Sequence, residues 1–92
     1  MITARNLLAH EWIGLNVTVK ESPDPRVEDI AGPVRNETRN TLVIESKGRS
    51  VTISKQHNLF AVILPNGQEV TVDGNLLMGR PEDRVKRGLS KW

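Results

Sequence analysis

Thirteen Lys and Arg, eleven Asp and Glu and two His are the groups with which this chain could do chemistry, and no cysteine stands among them. Disulfides and every thiolate metal site are thereby excluded, a zinc ribbon or knuckle included. His10 lies beside Glu11, and His57 offers a second imidazole. A protein nuclease, however, needs several ionisable groups converging on one substrate position or a metal held at ligand spacing, and the chain supplies neither pattern and no nucleophile motif. His10 therefore reads as a helix-end residue. Glu82 and Asp83 read as acids that offset the dipole at the start of a short helix, or as partners of arginine, rather than as metal ligands. No catalytic or metal-binding residue is assigned, and the isolated chain is expected to be inactive.

The cations carry more information, because they are clustered. The net charge is only +2, yet residues 35–55 hold five Lys or Arg against two acids and residues 80–92 again five against two, while the segments before and between are acidic. Clustering of this kind creates the local potential that attracts a phosphate backbone. In Glu37-Thr38-Arg39-Asn40-Thr41-Leu42, Asn40 and Thr41 can bond their own backbone and fix a turn, leaving Arg39 to project a planar donor fork suited to phosphate. Arg35, Lys47, Arg49 and Lys55 fall on the same or following strands, where alternation can bring some of them to one face. Near the C-terminus Arg80, Arg84 and Arg87 share a helical face, with Lys86 alongside. With three aromatic residues and no tyrosine there is no platform for base stacking, so Trp12 and Phe60 read as core or interface anchors. Any RNA bound would be recognised by shape and backbone.

These side chains must be positioned by a small β framework. Thr3 can cap a short helix over about 3–11, with Ile2 and Leu7 as a hydrophobic staple and Gly14 as the stop. From Leu15 the hydrophobic period becomes two. Strands are predicted at about 15–20, 30–37, 41–46, 49–54, 58–64 and 68–73, with an exposed loop where Pro23 and Pro25 stand among charges. Asn66-Gly67 has the residue types of a type I′ hairpin turn. After about residue 78 a basic helix is expected over 81–88, with Pro81 at its first position and Gly88 beyond its end. Six short strands in about 60 residues favour an all-β fold with short terminal helices: a small, strongly bent antiparallel sheet closed into an Sm-like or SH3-like barrel, with an OB-fold as the alternative. The chain reads as a single RNA-binding domain over 1–92, with its barrel at about 15–78. Its longest apolar stretch, Leu59 to Leu64, is far too short to span a membrane, and residues 1–12 lack signal-peptide character, so a cytosolic location is expected. Leu7, Leu8, Trp12, Leu89 and Trp92 offer more apolar surface than two short helices usually leave exposed, and mark a site for a protein partner.

Three segments, His10-Glu11-Trp12-Ile13-Gly14-Leu15, Glu37-Thr38-Arg39-Asn40-Thr41-Leu42 and Gly79-Arg80-Pro81-Glu82-Asp83-Arg84, together with Lys55, Phe60 and the Val72-Asp73-Gly74 turn, in this order and spacing, resemble the ribonuclease P/MRP subunit family whose archaeal members are protein component 1. The resemblance covers essentially the whole chain. It implies an Sm-like barrel that binds the catalytic RNA of ribonuclease P, forms a heterodimer with a zinc-ribbon protein subunit, and joins further protein subunits on precursor tRNA. It also implies that the RNA performs the hydrolysis, with Mg2+ expected for that reaction and no cofactor on this chain. One departure is Pro33 after Gly32, which removes a ladder hydrogen bond and suggests that the second strand is an edge or is bulged there. The alternative function is an Sm-like or SH3-like adaptor that binds only proteins.

Overall fold

A computed structural model describes residues 6–79. Six antiparallel strands stand within one residue of where the alternation of the sequence puts them: β1 (Asn16–Glu21), β2 (Ala31–Glu37), β3 (Thr41–Ser46), β4 (Arg49–Ser54), β5 (Leu59–Ile63) and β6 (Glu69–Asp73). They form one sheet in the order β4-β3-β2-β1-β5-β6. The apolar phase of each strand faces inward: Val17 and Val19, Val34, Leu42 and Ile44, Ile53, Phe60 and Val62, and Val72 are all buried. Trp12 stacks edge-on to Phe60, with ring centroids 6.4 Å apart, a favourable aromatic geometry.

The sheet bends at β2. Residues Ala31–Pro33 pair with β1, whereas the ladder to β3 runs from Val34 to Glu37. The second strand is therefore not an edge. Val34 N–H donates to the Leu15 carbonyl at 2.9 Å, so by alternation the nitrogen of Pro33 faces the β3 side, just before that ladder begins. The proline is accommodated because no ladder bond is required of it there. Gly32 is fixed by a close approach: a Cβ at this position would overlap the Glu45 carbonyl oxygen. One residue beyond Val34 the register shifts, leaving Arg35 as the extra residue of a bulge.

The strand order is open at β4 and β6, and these edges meet through a turn rather than a ladder. Gly74 opens a 3-10 turn over Gly74–Leu77. Its N–H donates to the Asn58 carbonyl at 2.8 Å, and a Cβ on it would overlap the carbonyl oxygen of Lys55 just past β4. The sheet thus curls into a barrel-like shape closed at one corner by glycine.

Two local expectations are corrected. The helix expected over 3–11 is, among the described residues, a single 3-10 turn over Leu7–Ala9. The Leu7 carbonyl, which an α-helix would offer to residue 11, instead accepts from His10 N–H at 3.3 Å and from the Trp12 indole at 3.2 Å. The expected C-terminal helix over 81–88 lies outside the described residues. The type I′ turn sits at Lys47-Gly48, where both residues have positive φ (51° and 78°). At Asn66-Gly67 only the glycine does (88°). Pro65 precedes this pair, and Gly67 N–H returns to the Leu64 carbonyl at 2.8 Å, so the loop is a three-residue turn ending in a left-handed glycine.

Candidate nucleic-acid interface

The bulge at Arg35 has a chemical result. It resets the alternation of β2, so that after Val34 the next inward side chain is Glu37, whose carboxylate is 1% exposed. On β4 the inward series Val51, Ile53 continues one step past the strand to Lys55, which is 0% exposed. The two meet: Lys55 Nζ donates to Glu37 Oε2 at 2.7 Å, and Glu37 Oε1 accepts from the backbone N–H of Trp12 at 2.9 Å.

The ammonium also gathers backbone. It donates to the carbonyls of Thr38 at 2.7 Å and Gly79 at 3.0 Å, with that of Arg39 at 3.4 Å. The Arg39 carbonyl further accepts from Gly79 N–H at 2.8 Å, and that of Asn40 from the Lys55 backbone N–H at 2.9 Å. Three successive carbonyls of the β2–β3 turn are therefore committed to the interior, and the side chains of Arg39 and Asn40 face solvent. Thr38 and Thr41 close the turn, with hydroxyl oxygens 2.6 Å apart and Thr41 N–H donating to Thr38 Oγ1 at 3.1 Å. Each of the three segments singled out from the sequence contributes to this corner: Trp12 from the first, Glu37 to Asn40 from the second, Gly79 from the third. In sequence, Arg80 follows at once.

The remaining expected phosphate-binding residues are dispersed. Lys47 and Arg49 are exposed at the opposite end of β3. Six extended residues separate the two ends, roughly 20 Å. Arg35 is exposed but its Nε donates to Glu45 at 2.7 Å, so its charge is already met. Thr41 is half-buried in the turn. Lys55 is corrected outright: enclosed and paired, it cannot reach a phosphate, and its role is internal. The alternation from Val51 could have found it. Glu37 gave no such signal, because the bulge that turns it inward is invisible in the pattern. Arg80, Arg84, Lys86 and Arg87 lie outside the described residues. Among acid–base candidates, His10 is half-buried and His57 exposed, and among the described residues no three His, Asp or Glu groups are placed to hold a metal ion.

The expected partner anchors are also corrected in part. Leu7, Leu8 and Trp12 are 0%, 2% and 0% exposed: the short turn folds them into the barrel core instead of presenting them. Leu89 and Trp92 lie outside the described residues. Among the described residues, the large apolar side chains that are exposed are Ile13, Ile63 and Leu76. Arg26, near the β1–β2 loop prolines, is held by Asp24, and its side-chain hydrogen bonds keep that carboxyl below its ordinary range.

Comparison with known proteins agrees with this arrangement of segments. Residues 5–87 match the family model described as ribonuclease P/MRP, subunit p29. Ribonuclease P protein component 1 of Methanocaldococcus jannaschii is 50% identical over 90 residues, covering 97% of this chain and 94% of that one. Its counterpart from Methanothermobacter thermautotrophicus is 44% identical over 92 residues, covering 99% of each. The solved structure of a homologue of the human RNase P protein Rpp29 superposes with a TM-score of 0.60 at 43% identity, over 82% of this chain and 97% of that one. The chain that gathers Trp12, the Glu37–Asn40 turn and Gly79 around one buried Glu37–Lys55 pair belongs to the p29 subunit family of ribonuclease P/MRP.

Proposed function

We propose that this chain is an RNA-binding protein subunit of ribonuclease P, which supports the catalytic RNA in removing the 5′ leader of tRNA precursors. The observation that carries the reading is the Arg39 turn. Its carbonyls are consumed by Lys55 and Gly79, so the guanidinium is presented outward on a fixed backbone, and Gly79 is followed in sequence by the basic C-terminal segment. A planar donor fork held in this way suits phosphate. The mechanism is neutralisation of phosphates that folding brings together in the RNA; the hydrolysis belongs to the RNA. Mg2+ serving that step would be held by RNA phosphates rather than by this chain.

The proposed partners are the ribonuclease P RNA, further protein subunits, and a zinc-ribbon subunit in a heterodimer, with precursor tRNA as substrate of the assembled particle in the cytoplasm. With Leu7, Leu8 and Trp12 in the core, Ile13, Ile63 and Leu76 are the large apolar side chains among the described residues that are available to a protein partner. Reconstituted cleavage of a precursor tRNA, with and without this chain, tests the reading. Addition should raise the rate or lower the Mg2+ requirement, and Arg39→Ala should lose much of that gain. An equal rate without the chain, together with binding to protein subunits alone, would favour the adaptor reading.

A further inference from the structure

The Glu37–Lys55 pair is an unusual choice for the interior of a small barrel, even at its corner. An apolar pair of the same volume fills such a space at least as well, since burying two charges costs about what their attraction returns. Leucine or methionine could not, however, collect hydrogen bonds from separate backbone segments. Lys55 does: one ammonium, with three hydrogens to give, lies at 2.7 Å from Glu37 Oε2, 2.7 Å from the Thr38 carbonyl and 3.0 Å from the Gly79 carbonyl. Glu37 reaches the other way to Trp12 N–H. The acid is available inside only because a bulge has been built one turn of the pleat earlier, and bulges re-aim side chains.

From this geometry we infer that Lys55 and Glu37 are positioning residues for RNA recognition: the pair sets the Thr38–Asn40 backbone against Gly79, so that Arg39 is presented to the RNA backbone in a fixed orientation. The inference rests on the reading of the chain as an RNA-binding subunit and adds the residues that orient the contact. Neither side chain touches RNA. The bond from Gly79 N–H to the Arg39 carbonyl ties the turn to Gly79, and the ammonium between the carbonyls of Thr38 and Gly79 braces it. Loss of the pair should therefore release Arg39 without removing it.

A double variant, Glu37→Gln with Lys55→Met, tests this. The amide still accepts from Trp12 N–H, the two opposite charges are removed together, and no ammonium remains to gather the carbonyls. Two readouts are taken on the full chain: hydrogen exchange at the Thr38 and Gly79 amides, and affinity for a ribonuclease P RNA transcript with Arg39→Ala introduced in each background. The expected result is faster exchange at those two amides with the Val19 and Val62 amides unchanged. In parallel, Arg39→Ala should cost roughly tenfold in affinity in the native background, the scale of one charged hydrogen bond, and less than about twofold in the double variant, because coupled residues are not additive. Unchanged exchange at Thr38 and Gly79, or the same Arg39→Ala loss in both backgrounds, overturns the inference. Failure of the native chain to bind the transcript would count against the RNA reading alone, and the exchange arm would still decide the positioning. If the double variant does not fold, the native protein suffices: Thr38 and Gly79 amides must exchange as slowly as the β5 core, and exchange as fast as that of the Lys47-Gly48 tip overturns the proposal.

Discussion

At Lys55 an ammonium withdrawn from water is matched by a carboxylate and two close carbonyls, and the cost of disturbing it is unequal on the two sides of the ledger. Lys55→Met alone takes the ammonium away from the buried Glu37 carboxylate, and should lower the free energy of unfolding by about 3–5 kcal/mol. Lys55→Met combined with Glu37→Leu should recover most of that loss, because an apolar replacement of the whole pair is often neutral or stabilising. Urea denaturation of the three proteins measures both, and a single-variant loss below about 1 kcal/mol would mean that the pair is open to water. Half of this site was legible in advance. Val51, Ile53 and Lys55 keep a period of two, which puts the lysine inward, although its charge and its place in a basic segment suggest a surface role. Glu37 was not legible, since Arg35 and Asn36 both face solvent and break the alternation. Only the register shift in the β2–β3 ladder explains where the acid goes.

Among elements, the β3–β4 hairpin has a basic residue pair at one end and the Arg39 turn at the other. The two ends are built differently. The Lys47-Gly48 tip is a two-residue turn with both residues left-handed, needing nothing beyond its own strands, whereas the Arg39 turn is held from outside by Lys55 and Gly79. Strand positions were recoverable because Val17 and Val19, Leu42 and Ile44, and Phe60 and Val62 each mark the buried phase. Turn chemistry was not, because Pro65 decides the conformation at Asn66-Gly67 and lies outside the dipeptide that signals a hairpin. If both ends of β3 contact RNA, their contributions must be independent at a separation of roughly 20 Å. Arg39→Ala and a Lys47→Ala, Arg49→Ala variant should then weaken binding additively within about 0.5 kcal/mol, as read from equilibrium titrations at fixed salt. A strongly sub-additive triple variant would place both ends on a single contact or none.

At the scale of the molecule, charge among the described residues is divided between the two sides of the bend. The β2–β4 side carries Arg39, Lys47 and Arg49 exposed, and its acids are engaged, Glu37 by Lys55 and Glu45 by Arg35. On the β5–β6 side Glu69 and Asp73 are the charged residues of the strands. RNA affinity should therefore fall steeply with salt, with a log–log slope of roughly −0.7 to −0.9 per phosphate neutralised, and Arg39→Ala should flatten that slope by about one phosphate equivalent. A slope unchanged in Arg39→Ala would remove this residue from the RNA surface. The same long reach that lets Lys55 organise the turn also dates its formation. Its contacts to Thr38, Glu37 and Gly79 and that of Glu37 to Trp12 span 17, 18, 24 and 25 residues, while the Lys47-Gly48 hairpin closes locally. Contacts of high sequence separation are slow to close and tend to form late. In a chevron analysis the Lys55→Met, Glu37→Leu protein should refold at the native rate, and any loss of stability should appear as faster unfolding, the signature of interactions absent from the transition state. The β1–β5 pairing spans more residues still, so the Arg39 turn would be set after the local hairpin and together with the closing of the barrel, and a nascent subunit would lack the fixed turn until its distant strands have paired.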